Sequence, residues 1–221
     1  MHWTHYLPSL WKGTEVTILI AIASTALGAV FAFAAGIGRV VGGKLVSAIA
    51  LIYIEIFRGT SLLIQLFWLY YALPLVGISF DPIDTGIFGL ALNIGAYGAE
   101  VVRGALLSVS PQQHEAARAL NFSPAYTLIH ITLPQAVIEM MPPFGNLAVQ
   151  NLKDTALVSL ISIADLSFHA QSLRNLTLKS LPIYTLTLLL YFAMSLVLAA
   201  FMRWLEKKLR RGAAFPEGAR S

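Results

Sequence analysis

Cysteine is absent from all 221 residues. Disulfides and thiolate-held metals are therefore excluded, and no redox compartment follows from the chain. Charge is scarce as well. Asp, Glu, Lys and Arg make up only 12% of the sequence, about half the share usual in soluble domains. With 57% hydrophobic residues and a mean hydropathy of +0.72, the chain has too little polar surface for a water-soluble globule and falls in the membrane class. It has no G-x-x-x-x-G-K-[ST], and "VGGKL" at 41–45 does not supply one, so it carries no P-loop of its own for hydrolysing ATP. The histidines at 2, 5, 114, 130 and 169 fall at no metal-ligating spacing. No nucleophile–base constellation stands out, which leaves a membrane enzyme without residues to carry it.

What the chain does have is long apolar runs. Stretches 14–37, 87–107, 144–163 and 183–203 are each long enough to cross a hydrocarbon core, which takes about 20 residues. A fifth, 45–78, is too long for one straight crossing and holds Glu55, Arg58 and Gly59 in its middle, so it predicts a kinked or two-part helix. The expected fold is an all-α integral membrane protein of about five transmembrane helices, forming a single transmembrane domain over 1–221. No basic n-region or cleavage site precedes the first stretch, which is expected to remain as a span. Basic residues set the orientation. Arg39, Lys44, Arg103, Arg118 and six residues of the tail 203–221 lie on one side, ten in all, against Lys12, Arg174 and Lys179 on the other. The expectation is a cytoplasmic C-terminus and an outside N-terminus. The net charge of +4 is mostly this bias, not a nucleic-acid patch, and the basic tail is a candidate for contact with anionic lipid.

One polar island interrupts the grease, "SPQQHEAARALNFSPAYTLIHITLPQA" at 110–136, on the cytoplasmic side. Ser110 is a good N-cap, Pro111 suits the first helical position and Gln113 completes a capping box. Strong helix formers follow in Glu115, Ala116, Ala117, Arg118, Ala119 and Leu120. Asn121 can take the left-handed conformation that closes a helix. Ser123-Pro124 then repeats the start signal for a second short helix. The first helix, about 15 Å long, cannot span a membrane. Its Ala116, Ala117 and Leu120 make a small smooth patch suited to a groove on another protein.

The spacing of Glu115-Ala116-Ala117, Asn121, Ile131 and Leu133-Pro134 resembles the EAA loop of ABC importer permeases, with Asn121 standing where the family pattern has Gly. Four further segments, 13–21, 53–74, 96–120 and 133–161, resemble the polar amino-acid subfamily, so the likeness runs in order through nearly the whole chain. The resemblance implies a type I ABC importer permease architecture in the bacterial inner membrane, with a coupling helix within about 108–132. It also implies partners: ATP-binding ABC subunits that hold the ATP and magnesium, an extracytoplasmic solute-binding protein, and a second permease subunit, identical or similar. The chain itself would need no cofactor. The segment "DLSFHAQSLRNLT" is similar to permeases for the compatible solute ectoine.

Polar residues within apolar spans are costly and usually face a bundle interior or a wet cavity. Asn93, Tyr97, Glu100 and Gly104 recur at helical spacing within about 60° of arc, beside a small-residue row of Ala91, Gly95 and Ala99. Asn146, Gln150, Lys153 and Asp154 cover about 100°, with Asn151 further round at a packing interface. Pro142-Pro143 precedes this second stripe and predicts an interrupted helix. The expectation is that the two stripes face each other across a solute path. Glu100 would hold an ammonium, and Lys153 or Arg58 a carboxylate; the family resemblance implies Glu100 and Asp154 as substrate-side residues. Against it stands a purely structural reading, with Lys153–Asp154 and Glu55–Arg58 as internal ion pairs. An ion-coupled secondary transporter or channel subunit, using Glu100 and Asp154 as ion sites, is the alternative function. It lacks the internal repeat common in such transporters and leaves the island without a task.

Overall fold

The computed structural model describes residues 6–212. His2, His5 and the last part of the basic tail, 213–221, lie outside the described residues. The helices are α1 (Leu7–Val41), α2 (Lys44–Gly59), α3 (Leu62–Phe67), α4 (Pro82–Ser108), α5 (Pro111–Ala119), α6 (Pro124–Thr127), α7 (Leu133–Asp154), α8 (Leu166–Thr177) and α9 (Ser180–Gly212). Wider π-type winding over Trp68–Ala72 and Leu128–Thr132, and tight 3-10 winding over Leu73–Val76 and Thr155–Ile161, join several of these without a gap. Among the described residues there is no strand.

Helices α1, α4 and α9 are long and apolar enough to cross a membrane unaided. Two bent pairs supply the rest. Lys44–Gly59 meets Leu62–Val76 at 106°, and Pro124–Ile161 meets Leu166–Thr177 at 52°. Counting each pair as one crossing gives five spans, in line with the sequence expectation, and the stretch 45–78 is broken as expected. The break falls at Thr60 and Ser61, whose extended backbones (ψ 158° and 131°) end α2 and start α3.

Helix α4 is the most enclosed long helix and α9 the most peripheral. The expected small-residue row explains why α4 and α1 lie so close. A Cβ on Gly36 would stand 2.7 Å from the Ala99 carbonyl oxygen, and one on Gly95 2.8 Å from the Phe31 Cβ. Only glycine admits backbones at that distance, where packing and not water drives helix association. The core is stacked in three levels along the bundle. Leu10, Leu166, Ala170 and Ile183 form one end. Ile20, Leu66, Leu90, Val158 and Ile161 fill the middle, and Val102, Ala105, Leu106, Ala136 and Met140 form the other end. Many large apolar residues, such as Leu45, Ile52, Leu188 and Val197, point outward, as lipid-facing surfaces require.

Three local expectations need correction. Helix α7 runs through Pro142 and Pro143 without interruption. The prolines remove two amide donors, but packing fixes the axis on both sides. Ala136 and Met140 are buried before them, and Phe144 after them stacks on Phe33 at 5.9 Å. Secondly, the short helix expected after Ser123-Pro124 is not separate. It is the first turn of a winding that continues to Ile161. Thirdly, the capping box is not made. The Ser110 hydroxyl donates to the Gln112 side-chain oxygen, and Gln113 meets Ser110 only as a backbone N–H donating to its carbonyl at 3.0 Å.

Candidate functional site

The break between α2 and α3 exposes backbone that a continuous helix would have paired, and polar side chains cover it. Gln65, buried on α3, donates through Nε2 to the Phe57 carbonyl (2.9 Å), the Thr60 carbonyl (3.3 Å) and the Thr60 hydroxyl (2.8 Å). Asn93 of α4 donates to the same Phe57 carbonyl at 3.1 Å and to Gln65 Oε1 at 3.0 Å. Orphaned carbonyls at membrane depth must find such donors. Tyr53 adds a hydroxyl donated to the Leu92 carbonyl at 2.7 Å, tying α2 to α4.

Beside this break opens a cavity of about 480 Å³. Thr60 and Ser61 of the break, Asn93 and Tyr97 of α4, and Gln150, Asn151 and Asp154 of α7 supply its polar lining. Asn93 and Tyr97 of one stripe and Gln150 and Asp154 of the other therefore line one cavity. Asp154 is the one charged residue of the lining, and Gln150 Nε2 donates to its carboxylate at 2.8 Å. The Arg58 guanidinium lies 5.4 Å over the ring of Tyr97, a lining residue, and is not itself part of the lining.

Glu100 and Lys153 lie outside this lining. Glu100 is held by Arg103 of its own helix through two hydrogen bonds, 3.0 Å from Nε and 2.8 Å from Nη2. Lys153 is exposed. The internal ion pairs Lys153–Asp154 and Glu55–Arg58 are not formed; among the described residues the salt bridges are Glu100–Arg103 and Glu206–Arg210. Asn151 does sit at a packing interface, donating to Ser24 Oγ at 2.7 Å and Thr25 Oγ1 at 2.9 Å of α1. Gln65, Thr60 and Ser61 were missed by the sequence reading. A lone glutamine in the apolar run 62–76 was the available signal.

The island lies at the α4–α7 end of the core. Helix α5 closes as expected on Asn121, the left-handed residue (φ 58°), whose amide donates to the Arg118 carbonyl at 2.9 Å. The next amide, of Phe122, donates to the Ala117 carbonyl at 3.0 Å. Ser123 caps the following winding by accepting from the Tyr126 amide at 3.3 Å. His114 Nε2 lies 3.3 Å from the Thr132 hydroxyl and ties the two halves together. The smooth patch is divided, however. Ala116 and Leu120 face outward with Glu115 and Arg118, whereas Ala117 is 1% exposed and turned into its own chain. Leu133 packs against the adjoining core, Ile131 is half-buried and Pro134 is exposed.

An all-helical bundle of up to five spans, with the short helix α5 at one end and a cavity at a broken helix, fits a multi-pass membrane permease. The chain belongs to the family described as the binding-protein-dependent transport system inner membrane component, whose pattern matches residues 24–211. It is 51% identical over 217 residues to a probable amino-acid ABC transporter permease protein, y4tF, of Sinorhizobium fredii, covering 96% of this chain and 91% of that one. It is 34% identical to the glutamine transport system permease protein GlnP of Escherichia coli, covering 92% and 94% respectively. Among solved structures, an amino acid ABC transporter crystallised with histidines superposes with a TM-score of 0.85 at 30% identity, covering 93% of this chain and 96% of that chain. The architecture is that of a type I ABC importer permease, a multi-pass inner-membrane protein. ATP hydrolysis in such importers belongs to a separate subunit.

Proposed function

We propose that this chain is the transmembrane subunit of an ATP-driven importer of polar amino acids or related zwitterions. The observation that carries this reading is the cavity at the α2–α3 break. There a single carboxylate, Asp154, sits among the amides of Asn93 and Gln150 and the hydroxyls of Thr60, Ser61 and Tyr97. A carboxylate beside amides and hydroxyls, in a lining whose other walls are the apolar Leu62, Ile94, Leu147 and Leu157, suits a protonated amine. Arg58, over the ring of the lining residue Tyr97, suits a carboxylate. Glu100 is engaged by Arg103, so the role of ammonium partner falls to Asp154 in this conformation. The relatives named for amino acids and glutamine support the substrate class.

In this reading the island 108–132 is the coupling loop. The exposed Glu115, Ala116, Arg118 and Leu120 meet an ATP-binding subunit, while Ala117 and Asn121 hold the loop in shape. ATP-driven closure of that subunit pulls the loop. The pull reaches the cavity because the loop is continuous with α7, which carries Gln150 and Asp154. An extracytoplasmic binding protein delivers solute, and a second permease subunit completes the path. The C-terminus is cytoplasmic and the N-terminus outside. The test is co-purification with the partner subunits in lipid vesicles, followed by binding-protein-dependent ATP hydrolysis over a panel of glutamine, cystine, acidic and basic amino acids and ectoine. Stimulation by one or more amino acids is expected. Stimulation by ectoine alone would move the substrate to compatible solutes. Uptake that persists without ATP but collapses with an uncoupler would favour the ion-coupled alternative.

A further inference from the structure

Helix α9 outruns the membrane. Its 33 residues extend about 50 Å, against a hydrocarbon core of about 30 Å. The apolar stretch ends at Met202, and Arg203 opens a terminal segment that keeps its helical winding through Gly212. The depth of that segment follows from packing. Met202 stands against Gly145 of α7, where a Cβ on the glycine would lie 3.3 Å from the Met202 Cβ. About one and a half and two and a half turns further along the antiparallel α7 lie Met140 and Ala136, packed with Ala105 and Leu106 of α4, with Val109 just after it, and with Ile37 and Val40 of α1. Those are the ends of two spans. The segment 203–211 therefore lies level with the span ends, at the polar boundary of the bilayer, and not out among the residues of the island.

Its faces are sorted accordingly. Met202, Leu205 and Leu209 are half-buried and turned toward the bundle. Arg203, Lys207 and Arg211, at i, i+4 and i+8, make an exposed stripe within about 80° of arc on the opposite side. Among the described residues only Arg210 of this segment has a carboxylate partner, Glu206 at 3.0 Å. Phe201 and Trp204 stack at 5.9 Å and are about half exposed, and Lys208 Nζ lies 5.2 Å over the Trp204 ring. An exposed aromatic pair at the end of a span, next to outward basic side chains, is the arrangement that sits at headgroup level.

We propose that the stripe Arg203–Lys207–Arg211, with Trp204 beside it, is a binding surface for the headgroups of acidic phospholipids. Two features select a lipid over an acidic protein surface. The stripe lies at span-end depth, and its neighbours Phe201 and Trp204 need an apolar as well as a polar surrounding. The inference does not depend on which solute the protein carries. The experiment is to purify the assembled complex from membranes and measure the phosphatidylglycerol and phosphatidylcholine that it retains from mixed vesicles. The variant Arg203→Gln/Lys207→Gln/Arg211→Gln is compared with the charge-keeping Arg203→Lys/Lys207→Arg/Arg211→Lys. Wild type and the charge-keeping variant should prefer phosphatidylglycerol. The neutral variant should lose that preference by about tenfold or more, as three basic groups at an anionic surface would require, while assembling normally. An unchanged preference in the neutral variant overturns the proposal. So does loss of the ATP-binding subunits with lipid preference intact, which would assign the stripe to a protein partner.

Discussion

At the scale of single residues, the cavity separates groups that bind from groups that support. Asp154 faces the open cavity with one amide partner, so it has lone pairs to spare for a solute. Asp154→Asn is expected to lower uptake in vesicles at least about tenfold, the worth of one charge-assisted hydrogen bond, with the partner subunits still co-purifying. Uptake at the normal rate would remove Asp154 from the solute path. Gln65 acts differently, because its donors go to the carbonyls of Phe57 and Thr60 at the helix break. Gln65→Leu leaves the Thr60 carbonyl without that donor and should cost about 1–3 kcal/mol. A lower thermal midpoint in detergent, with solute specificity unchanged, is the expected readout. A variant that melts like the wild type would mean that the break needs no such clamp.

At the scale of elements, the island distinguishes a buried contact from a docking face. Ala117 is enclosed by its own chain, so Ala117→Glu buries an unpaired carboxylate at a cost of several kcal/mol. The expected result is a locally unfolded loop, read as rapid protease cleavage within 108–132. Ala116→Glu and Leu120→Glu change only the outer face. They should leave cleavage slow yet abolish ATPase co-purification or solute-stimulated hydrolysis. If both outer variants still coupled normally, the face of α5 would not be the contact. Asn121→Gly should be close to neutral, since glycine satisfies the same left-handed position.

At the scale of the whole molecule, stability rests on how near α1 can approach α4. Gly36→Leu would drive a side chain into the Ala99 carbonyl and the side chain of Val102, both under 3 Å from the new Cβ. That overpacking should cost about 1–3 kcal/mol or more, seen as poor recovery of folded protein from membranes. The topology has its own check. A reporter joined after Ser221 should be cytoplasmic and one before Met1 outside, because the bent pairs each count as one crossing. Both ends on one side would mean that one bent pair is re-entrant.

Composition and the period of the apolar runs were enough to determine the membrane class, the helices, the break in 45–78 and the closing turn at Asn121. These depend on local backbone preference and on the solvent the side chains must meet, both properties of neighbouring residues. Packing alone decided the rest. The sequence could not tell that Pro142 and Pro143 would be carried inside a continuous helix, because Met140 and Phe144 hold its axis through contacts with distant segments. Nor could it tell that Glu100 would be taken by Arg103 while Asp154 faced the cavity, since a helical stripe fixes a direction but not what stands opposite. Ala117 gives the same lesson. Its period placed it beside Ala116 and Leu120, yet the fold buries it and leaves those two exposed, which a helical period alone does not decide.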